Sequence, residues 1–366
     1  MRIFFSILFT VVAIIAFAQN NNGISIGIHD TIYSNILKEK RQLLIYLPDN
    51  YKIHQQYPVV YLLDGENFFH FFTGITSFIG GGNIPEMIVV GIVNTNRYYD
   101  FTPTYDPNAT SPNNGGGEAF TSFMENELMP YIETHYNTAH YRLLVGHSLG
   151  GLLALNTLLK HSDLFNSYII LDPSLWWDST KLFKESSRLL QEKQYQNKTL
   201  FLAMSNGSEG TMDTMDEVFQ FRDKLKENPG DGLKWMSKFY ADEYHGSLPL
   251  IGSYDALKFI FDFYKRPSLS KLTDSTPAIL EKHYRQISEK IGFTILPSEY
   301  DLNGLAWRCA VLEKNYDRAY LFLQLYQKLY PNSTGMYAAF GDYYEGKGDK
   351  NKAMEYRDKA NKSKKE

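Results

Sequence analysis

The 366-residue sequence predicts an α/β fold, a doubly wound and mostly parallel sheet with an N-terminal antiparallel hairpin, followed by a small all-helical tail. Three observations predict this class. Short, uninterrupted apolar runs rich in Val, Ile and Leu are typical of strands buried on both faces of a parallel sheet. Amphipathic segments of helical periodicity lie between these runs. Beyond residue 267 the strand patterns stop. Beyond residue 297 the pattern is wholly helical, and a motif recurs after 34 residues, as in helical repeats.

The first 18 residues predict a secretory signal peptide. Arg2 precedes an uncharged apolar run, residues 3–17, which ends in the small-x-small pattern Ala16-Phe17-Ala18. We expect cleavage after Ala18. The run is shorter than the ~20 residues that span a bilayer, and no cysteine follows it to carry a lipid. The sequence therefore predicts an exported protein, periplasmic or extracellular, with no stable membrane insertion after cleavage.

Residues 19–267 contain the predicted sheet. Two alternating stretches, residues 25–33 and 41–47, predict the antiparallel hairpin. The remaining strands are predicted at residues 58–63, 87–93, 142–145, 168–171, 199–203 and 235–239. The clearest helices are predicted at residues 119–135 and 149–160. A long connection, residues 98–118, follows a parallel strand, so it is expected at the carboxyl edge of the sheet, where such folds bind ligands.

Residues 268–366 form the predicted helical tail. A helix is expected at residues 278–291, and two similar segments follow, residues 315–319 and 349–353. Their alanines, Ala319 and Ala353, are 34 residues apart, which is the period of tetratricopeptide repeats. Because two such units rarely fold alone, we expect them to pack against the preceding helix or the main domain.

The motif Gly146-His147-Ser148-Leu149-Gly150 carries the chemistry. A predicted strand runs directly into it and a predicted helix runs directly out, which is the setting of a nucleophile elbow. The glycines permit a sharp turn that exposes Ser148 at the edge of the sheet. A serine hydroxyl needs a base to remove its proton, so the motif predicts Ser148 as a nucleophile assisted by a histidine.

The base is expected later in the chain, since hydrolases with this elbow follow the order Ser, acid, His. His245 fits, because it comes directly after the predicted last strand, residues 235–239. The acid is expected after the strand at residues 199–203. Glu209 comes first there, and Asp213 and Asp216 are the alternatives. Such a carboxylate would fix the imidazole tautomer and stabilise the imidazolium.

Two backbone N–H groups are predicted to form an oxyanion hole. One belongs to Leu149, the residue after the nucleophile, and the other to Glu66, in the turn after the strand at residues 58–63. Trp176 and Trp177 follow the strand at residues 168–171 and could line a substrate pocket; packing beneath that loop is the equal alternative. Arg97, in the long connection, could contact a polar or anionic substrate.

The composition and motifs argue against other function classes. The formal net charge is −4, so no basic excess points to nucleic acid. The sequence has neither a P-loop nor a dinucleotide-binding glycine pattern. The histidines before the elbow show no metal-ligand spacing. We therefore expect no cofactor and no metal, and a small-molecule ester as the binding partner.

The elbow, the Asp172-Pro-Ser-Leu-Trp-Trp177 loop, the Tyr244-His-Gly-Ser247 loop and the turn at residues 61–65 together resemble the esterase family of α/β-hydrolases. That family includes enterochelin esterases, feruloyl esterases, S-formylglutathione hydrolase and mycolyltransferases. The resemblance covers roughly residues 25–265. It implies an α/β-hydrolase fold and ester hydrolysis through an acyl-enzyme, with Ser148 and His245 in matching roles.

The leading hypothesis is therefore an exported serine carboxylic ester hydrolase. Its candidate substrates are siderophore esters, feruloyl or acetyl esters of carbohydrate, and simple acyl esters. Two alternatives remain open from the sequence. An acyltransferase of the same fold would replace water by a second alcohol. An inert hydrolase-fold scaffold would instead bind a protein partner through the helical repeats.

Overall fold

The computed structural model describes residues 25–207, 216–265 and 276–364. Its centre is an eight-stranded sheet with the order β1-β2-β4-β3-β5-β6-β7-β8. The β1–β2 and β2–β4 pairs are antiparallel, and the remaining pairs are parallel. The strands are β1 (Ile28–Ser34), β2 (Glu39–Tyr46), β3 (Tyr57–Leu62), β4 (Ile88–Ile92), β5 (Thr138–His147), β6 (Ser167–Leu171), β7 (Thr199–Ser205) and β8 (Lys234–Tyr240). This confirms the predicted doubly wound sheet and its N-terminal hairpin.

The burial of the strands explains their sequence patterns. Every residue of β3, β4, β6 and β7 is buried, because helices cover both faces of the sheet there. The two edge strands, β1 and β8, instead alternate between more and less exposed positions. Continuous apolar runs therefore mark the centre of the sheet, and alternating runs mark its edges.

Helices pack on the two faces around two apolar cores. On one face Phe72, Ile75 and Leu257 join a core with the sheet. On the other face Phe123, Leu155 and many further apolar residues form the larger core. The helices of this domain are α1 (Gly65–Ile79), α2 (Arg97–Phe101), α3 (Gly117–Phe123), α4 (Met129–His135), α5 (Leu149–Lys160), α6 (Trp177–Glu192), α7 (Asp216–Glu227) and α8 (Leu248–Ile260).

The helix predicted at residues 119–135 is interrupted near its middle. A π-helical turn, Met124–Leu128, separates α3 from α4. Pro130 lies at the start of α4 and has no backbone N–H, so it cannot make the regular helical hydrogen bond at this point. The wider turn accommodates that missing donor, and the apolar face stays continuous from Phe120 to Ile132.

The tail consists of α9 (Pro277–Ile291), α10 (Glu299–Trp307), α11 (Tyr316–Leu329), α12 (Thr334–Gly346) and α13 (Lys350–Ser363). The last four form two helix pairs, and each pair buries one of the two repeated alanines, Ala319 in α11 and Ala353 in α13. Each of these four helices has an N-cap residue whose side chain accepts a hydrogen bond from a backbone N–H of the first turn. These N-cap residues are Ser298, Asn315, Ser333 and Asp349. The helices are as predicted, and their assignment as tetratricopeptide repeats stays a prediction.

Helix α9 connects the tail to the main domain. Its residues Ile287 and Ile291 lie in the core shared with α1 and α8, whereas Leu280 lies in the core of the tail. The domain boundary predicted at residue 267 lies outside the described residues, as does the signal peptide. None of the described helices is long and apolar enough to cross a membrane.

Candidate active site

Ser148 lies on a strained turn between β5 and α5. Its backbone has φ 60° and ψ −119°, a conformation that residues other than glycine rarely adopt. A Cβ at Gly146 would overlap the carbonyl of Gly150, and one at Gly151 would come within 3.1 Å of the Leu171 carbonyl oxygen. The Ser148 N–H donates to that same carbonyl at 3.0 Å. The glycines therefore allow the close packing that holds Ser148 in this turn.

His245 and Asp172 are brought together at the same edge of the sheet. The Nδ1 atom of His245 lies 3.2 Å from Oδ2 of Asp172. Asp172 directly follows β6, and its side chain is fully buried. It accepts the backbone N–H of Ser205 at 2.8 Å and also the Ser205 hydroxyl. A carboxylate held in this way can fix the imidazole tautomer and leave Nε2 free to accept a proton.

The carboxylate that contacts His245 is not one that we expected from the sequence. Glu209 and Asp213 lie outside the described residues, and Asp216 is an exposed residue at the start of α7 without a hydrogen bond to His245. In the sequence analysis Asp172 belonged only to the loop motif that carries Trp176 and Trp177. Its position immediately after a parallel strand was the available signal, because the carboxyl ends of β6 and β7 are neighbours in the sheet.

The hydroxyl of Ser148 contacts a second serine. Its Oγ lies 3.3 Å from Oγ of Ser174, in the loop after β6. Within the described part of the chain, no hydrogen bond joins Ser148 to His245. Catalytic hydrogen bonds are often long before substrate binds, so this geometry is compatible with proton transfer between the two residues.

His147 packs directly against His245. Their ring centroids are 4.3 Å apart, and the rings of His147 and Phe68 meet edge to face. Burial, followed by repulsion from His245, lowers the pKa of His147 to about 4. His147 is therefore neutral at pH 7 and places no positive charge beside the ring of His245. No sequence pattern other than the elbow motif itself pointed to this residue.

One cluster here has the composition of a metal site. Among the described residues, His147, Asp172 and His245 each place a potential ligand atom within 4.8 Å of the other two. The Nδ1 atom of His245 lies against Asp172 in this cluster. These are the side chains that could hold a metal ion at this edge.

The two predicted oxyanion donors lie at the amino ends of neighbouring helices. Leu149 is the first residue of α5 and Glu66 is the second residue of α1. Strands β3 and β5, which precede these helices, are hydrogen-bonded neighbours. No acceptor among the described residues takes either N–H, as is usual for the first turn of a helix. Both donors are thus available to an anion at the same edge.

The side chain of Arg97 stabilises the turn before α1. Its Nε and Nη2 atoms donate to the two carboxylate oxygens of Asp64 at 2.6 and 3.0 Å, and Nη2 also reaches the carbonyl of His147 at 3.1 Å. Asp64 is buried and has φ 55°. Arg97 therefore connects this turn to the elbow. Its side chain remains 31% exposed, and contact with substrate stays a prediction.

The two tryptophans differ in exposure. Trp177 is only 2% exposed, and its indole N–H donates to the carbonyl of Thr104 at 2.9 Å. The expectation that Trp177 contacts substrate is therefore wrong, because its ring packs in the core beneath the loop. Trp176 is 42% exposed and can still meet a ligand. Tyr98, which packs on Trp177, is exposed to a similar degree.

The strand order, the elbow and the site at the carboxyl edge define an α/β-hydrolase fold. The family model described as "Putative esterase" matches residues 34–234, which is more than half of the chain. The chain belongs to this family.

Two relatives are named as siderophore esterases. Ferri-bacillibactin esterase BesA of Bacillus subtilis is 31% identical over 172 residues, which cover 41% of this chain and 59% of the relative. The siderophore triacetylfusarinine C esterase of Aspergillus fumigatus is 30% identical over 154 residues, covering 37% and 51% of the two chains. The chain thus spans about half to three fifths of the length of these relatives.

Two solved structures are similar to this chain over most of its length. An IroE-like serine hydrolase from Shewanella oneidensis is 32% identical with a TM-score of 0.72, and the match covers 83% of this chain and 99% of that one. A Capnocytophaga ochracea protein, 22% identical, has the same fold over 91% of this chain and 93% of its own, with a TM-score of 0.69. Since residues 1–267 make up less than three quarters of the chain, these matches extend into the helical tail.

Proposed function

We propose that this protein hydrolyses carboxylic esters through an acyl-enzyme formed on Ser148. The observation that carries the proposal is the strained Ser148 turn at the sheet edge where Asp172 contacts His245. A turn that exposes a serine beside an oriented imidazole is the arrangement that activates a hydroxyl for acyl transfer. Membership of the esterase family supports it.

The reaction then has two halves. Ser148 Oγ attacks the ester carbonyl carbon while its proton passes to Nε2 of His245. The N–H groups of Leu149 and Glu66 receive the charge that develops on the carbonyl oxygen. The alcohol leaves with the proton from His245, and the acyl group stays on Ser148. Water, deprotonated by His245, then attacks the acyl carbon. The bond from that carbon to Ser148 Oγ breaks, Oγ takes the proton back from His245, and the acid is released. Asp172 keeps the imidazole in the tautomer that both halves require.

Siderophore esters are the substrate class that we favour. BesA and the triacetylfusarinine C esterase are named for siderophore substrates, and the Shewanella structure is described as IroE-like. The exposed ring of Trp176 gives this edge a surface on which an aromatic or extended acyl group can stack. Export by the N-terminal segment would place the enzyme in the periplasm or outside the cell, where such compounds circulate.

Hydrolysis of p-nitrophenyl acetate and butyrate tests the reaction, with the Ser148→Ala and His245→Gln variants beside the wild type. We expect turnover to fall by about 10³-fold or more in both variants. Equal rates in all three would contradict the proposal. Wild-type turnover of a catecholate trilactone, a hydroxamate ester and a feruloyl ester then distinguishes the substrate classes; preference for the feruloyl ester would overturn the siderophore assignment.

A further inference from the structure

Ser174 holds the Ser148 turn through two different contacts. Its backbone N–H donates to the carbonyl of Ser148 at 3.0 Å. Its side-chain oxygen lies 3.3 Å from Oγ of Ser148. Ser174 is 4% exposed, whereas Ser148 is only partly buried. The first contact uses the main chain, so the Ser174 hydroxyl can be removed by substitution without removing it.

The burial of Ser174 limits the partners of its hydroxyl. A buried hydroxyl is stabilised by a hydrogen-bond partner, because leaving a polar group unpaired in the interior is costly. Among the described residues, Ser148 Oγ is the partner within reach of the Ser174 hydroxyl. At this distance either hydroxyl can donate. The arrangement that leaves the Ser148 proton for a base has Ser174 as the donor and Ser148 as the acceptor. The hydrogen of Ser148 is then free to point toward a base.

We propose that Ser174 is a positioning residue for the nucleophile. Its hydroxyl donates to Ser148 Oγ, fixes the side-chain rotamer of Ser148 and stabilises the oxygen as its proton leaves for His245. The inference rests on the proposed ester hydrolysis. The contact helps most while Oγ gains negative charge, and least once Oγ has become an ester oxygen, which is a poorer acceptor.

The loop after β6 carries both Ser174 and Asp172, and this allows a positioning role to be separated from a structural one. If removal of the Ser174 hydroxyl merely loosened the loop, Asp172 would move away from Nδ1 of His245. The kinetic pKa of the base would then shift, because the charged partner of the imidazole would have moved. A pure loss of nucleophile positioning lowers the rate and leaves that kinetic pKa unchanged.

The experiment compares Ser174→Ala with wild type in the full chain, using p-nitrophenyl acetate and a fluorophosphonate probe. We expect kcat and the labelling rate to fall by about tenfold, with KM little changed and the pH profile unshifted. Ser174→Thr keeps the hydroxyl and should recover most of the activity; Ser174→Cys is the alternative if the threonine variant does not fold. Ser253→Ala is the matched control, since Ser253 is buried in α8 and its hydroxyl has no partner among the described residues.

Three results would overturn the inference. Unchanged or faster turnover in Ser174→Ala would show that the hydroxyl does not assist Ser148. A shifted kinetic pKa would assign the effect to Asp172 and the loop. A fall of equal size in Ser253→Ala would show a general response to losing a buried hydroxyl. Failure of the proposed function is recognised separately, because the wild type itself would then lack Ser148-dependent turnover.

Discussion

The assignment of the acid depends on one contact, between Asp172 and Nδ1 of His245. In Asp172→Asn the side chain keeps its size but loses the charge that stabilises the imidazolium and selects its tautomer. We expect kcat to fall by about 10⁴-fold, the size of loss known for this substitution in a catalytic triad. Activity assays on p-nitrophenyl butyrate, with circular dichroism to check folding, measure this.

Glu209→Gln is the matched variant for that test, because Glu209 was the acid expected from the sequence. Nearly wild-type activity is predicted for it. The reverse pattern, an active Asp172→Asn and an impaired Glu209→Gln, would show that Glu209 is the acid and Asp172 is not.

His147 should make the protein less stable in mild acid. Burial lowers its pKa to about 4 in the folded state, against 6.5 as the ordinary value expected in the unfolded chain. The unfolded state therefore binds more protons between these values. The contribution of neutral His147 to the free energy of unfolding is fully present above about pH 6.5 and is lost as the pH falls toward 4. Urea midpoints measured at pH 7.5, 6 and 5 should decrease in the wild type.

The His147→Gln variant should show a flatter dependence over the same pH range, because glutamine does not titrate. His54→Gln serves as the control, since His54 is exposed. If the urea midpoints of His147→Gln and His54→Gln both fall with pH as steeply as those of the wild type, the acid sensitivity does not come from His147.

At the scale of single elements, helix α1 contains two glycines with opposite requirements. A Cβ at Gly65 would meet the main chain of Gly91 at 2.6 Å and of Ile92 at 2.8 Å, and a backbone cannot move aside cheaply. Gly65→Ala should therefore shift the start of α1, displace the N–H of Glu66, destabilise the fold by roughly 1–3 kcal/mol and lower kcat. Thermal unfolding and steady-state kinetics measure both effects.

Gly74 lies in the same helix, and a Cβ there meets nothing within 4 Å. Gly74→Ala should stabilise the protein by about 0.5–1 kcal/mol, since alanine favours helix, and leave kcat unchanged. Similar losses of activity in both variants would show that the contact between α1 and β4 does not control the oxyanion donor.

The accuracy of the sequence-based prediction differs between elements for physical reasons. The runs at residues 87–93 and 168–171 matched β4 and β6 within about a residue or two, because strands buried on both faces are apolar throughout. Strand β5 is longer than predicted, since its first half alternates in burial. Ser148 and the helix after it follow from local spacing. The Asp172–His245 contact depends on how β6 and β8 are placed in the sheet, which no local pattern encodes.

For the whole molecule, α9 belongs to the hydrolase core as much as to the tail. Ile287 and Ile291 are almost completely buried against that core. A chain ending at residue 297 keeps this helix and should retain most of the esterase activity with reduced thermal stability. A chain ending at residue 265 exposes the surface that α9 covers and should aggregate or unfold at a lower temperature.

Scanning calorimetry and activity assays compare the two truncations. Loss of activity in the longer one, despite a folded core, would mean that α10–α13 take part in substrate binding. Equal unfolding temperatures of the two truncated chains would show that the packing of α9 does not stabilise the main domain.

The central claim is that Ser148 is an activated nucleophile. Labelling of the full chain with a fluorophosphonate, followed by peptide mass spectrometry, tests it most directly. We predict one stoichiometric adduct on Ser148, absent from Ser148→Ala and at least 100-fold slower to form in His245→Gln. An unlabelled wild type, or an adduct on another residue that survives in Ser148→Ala, would contradict the account.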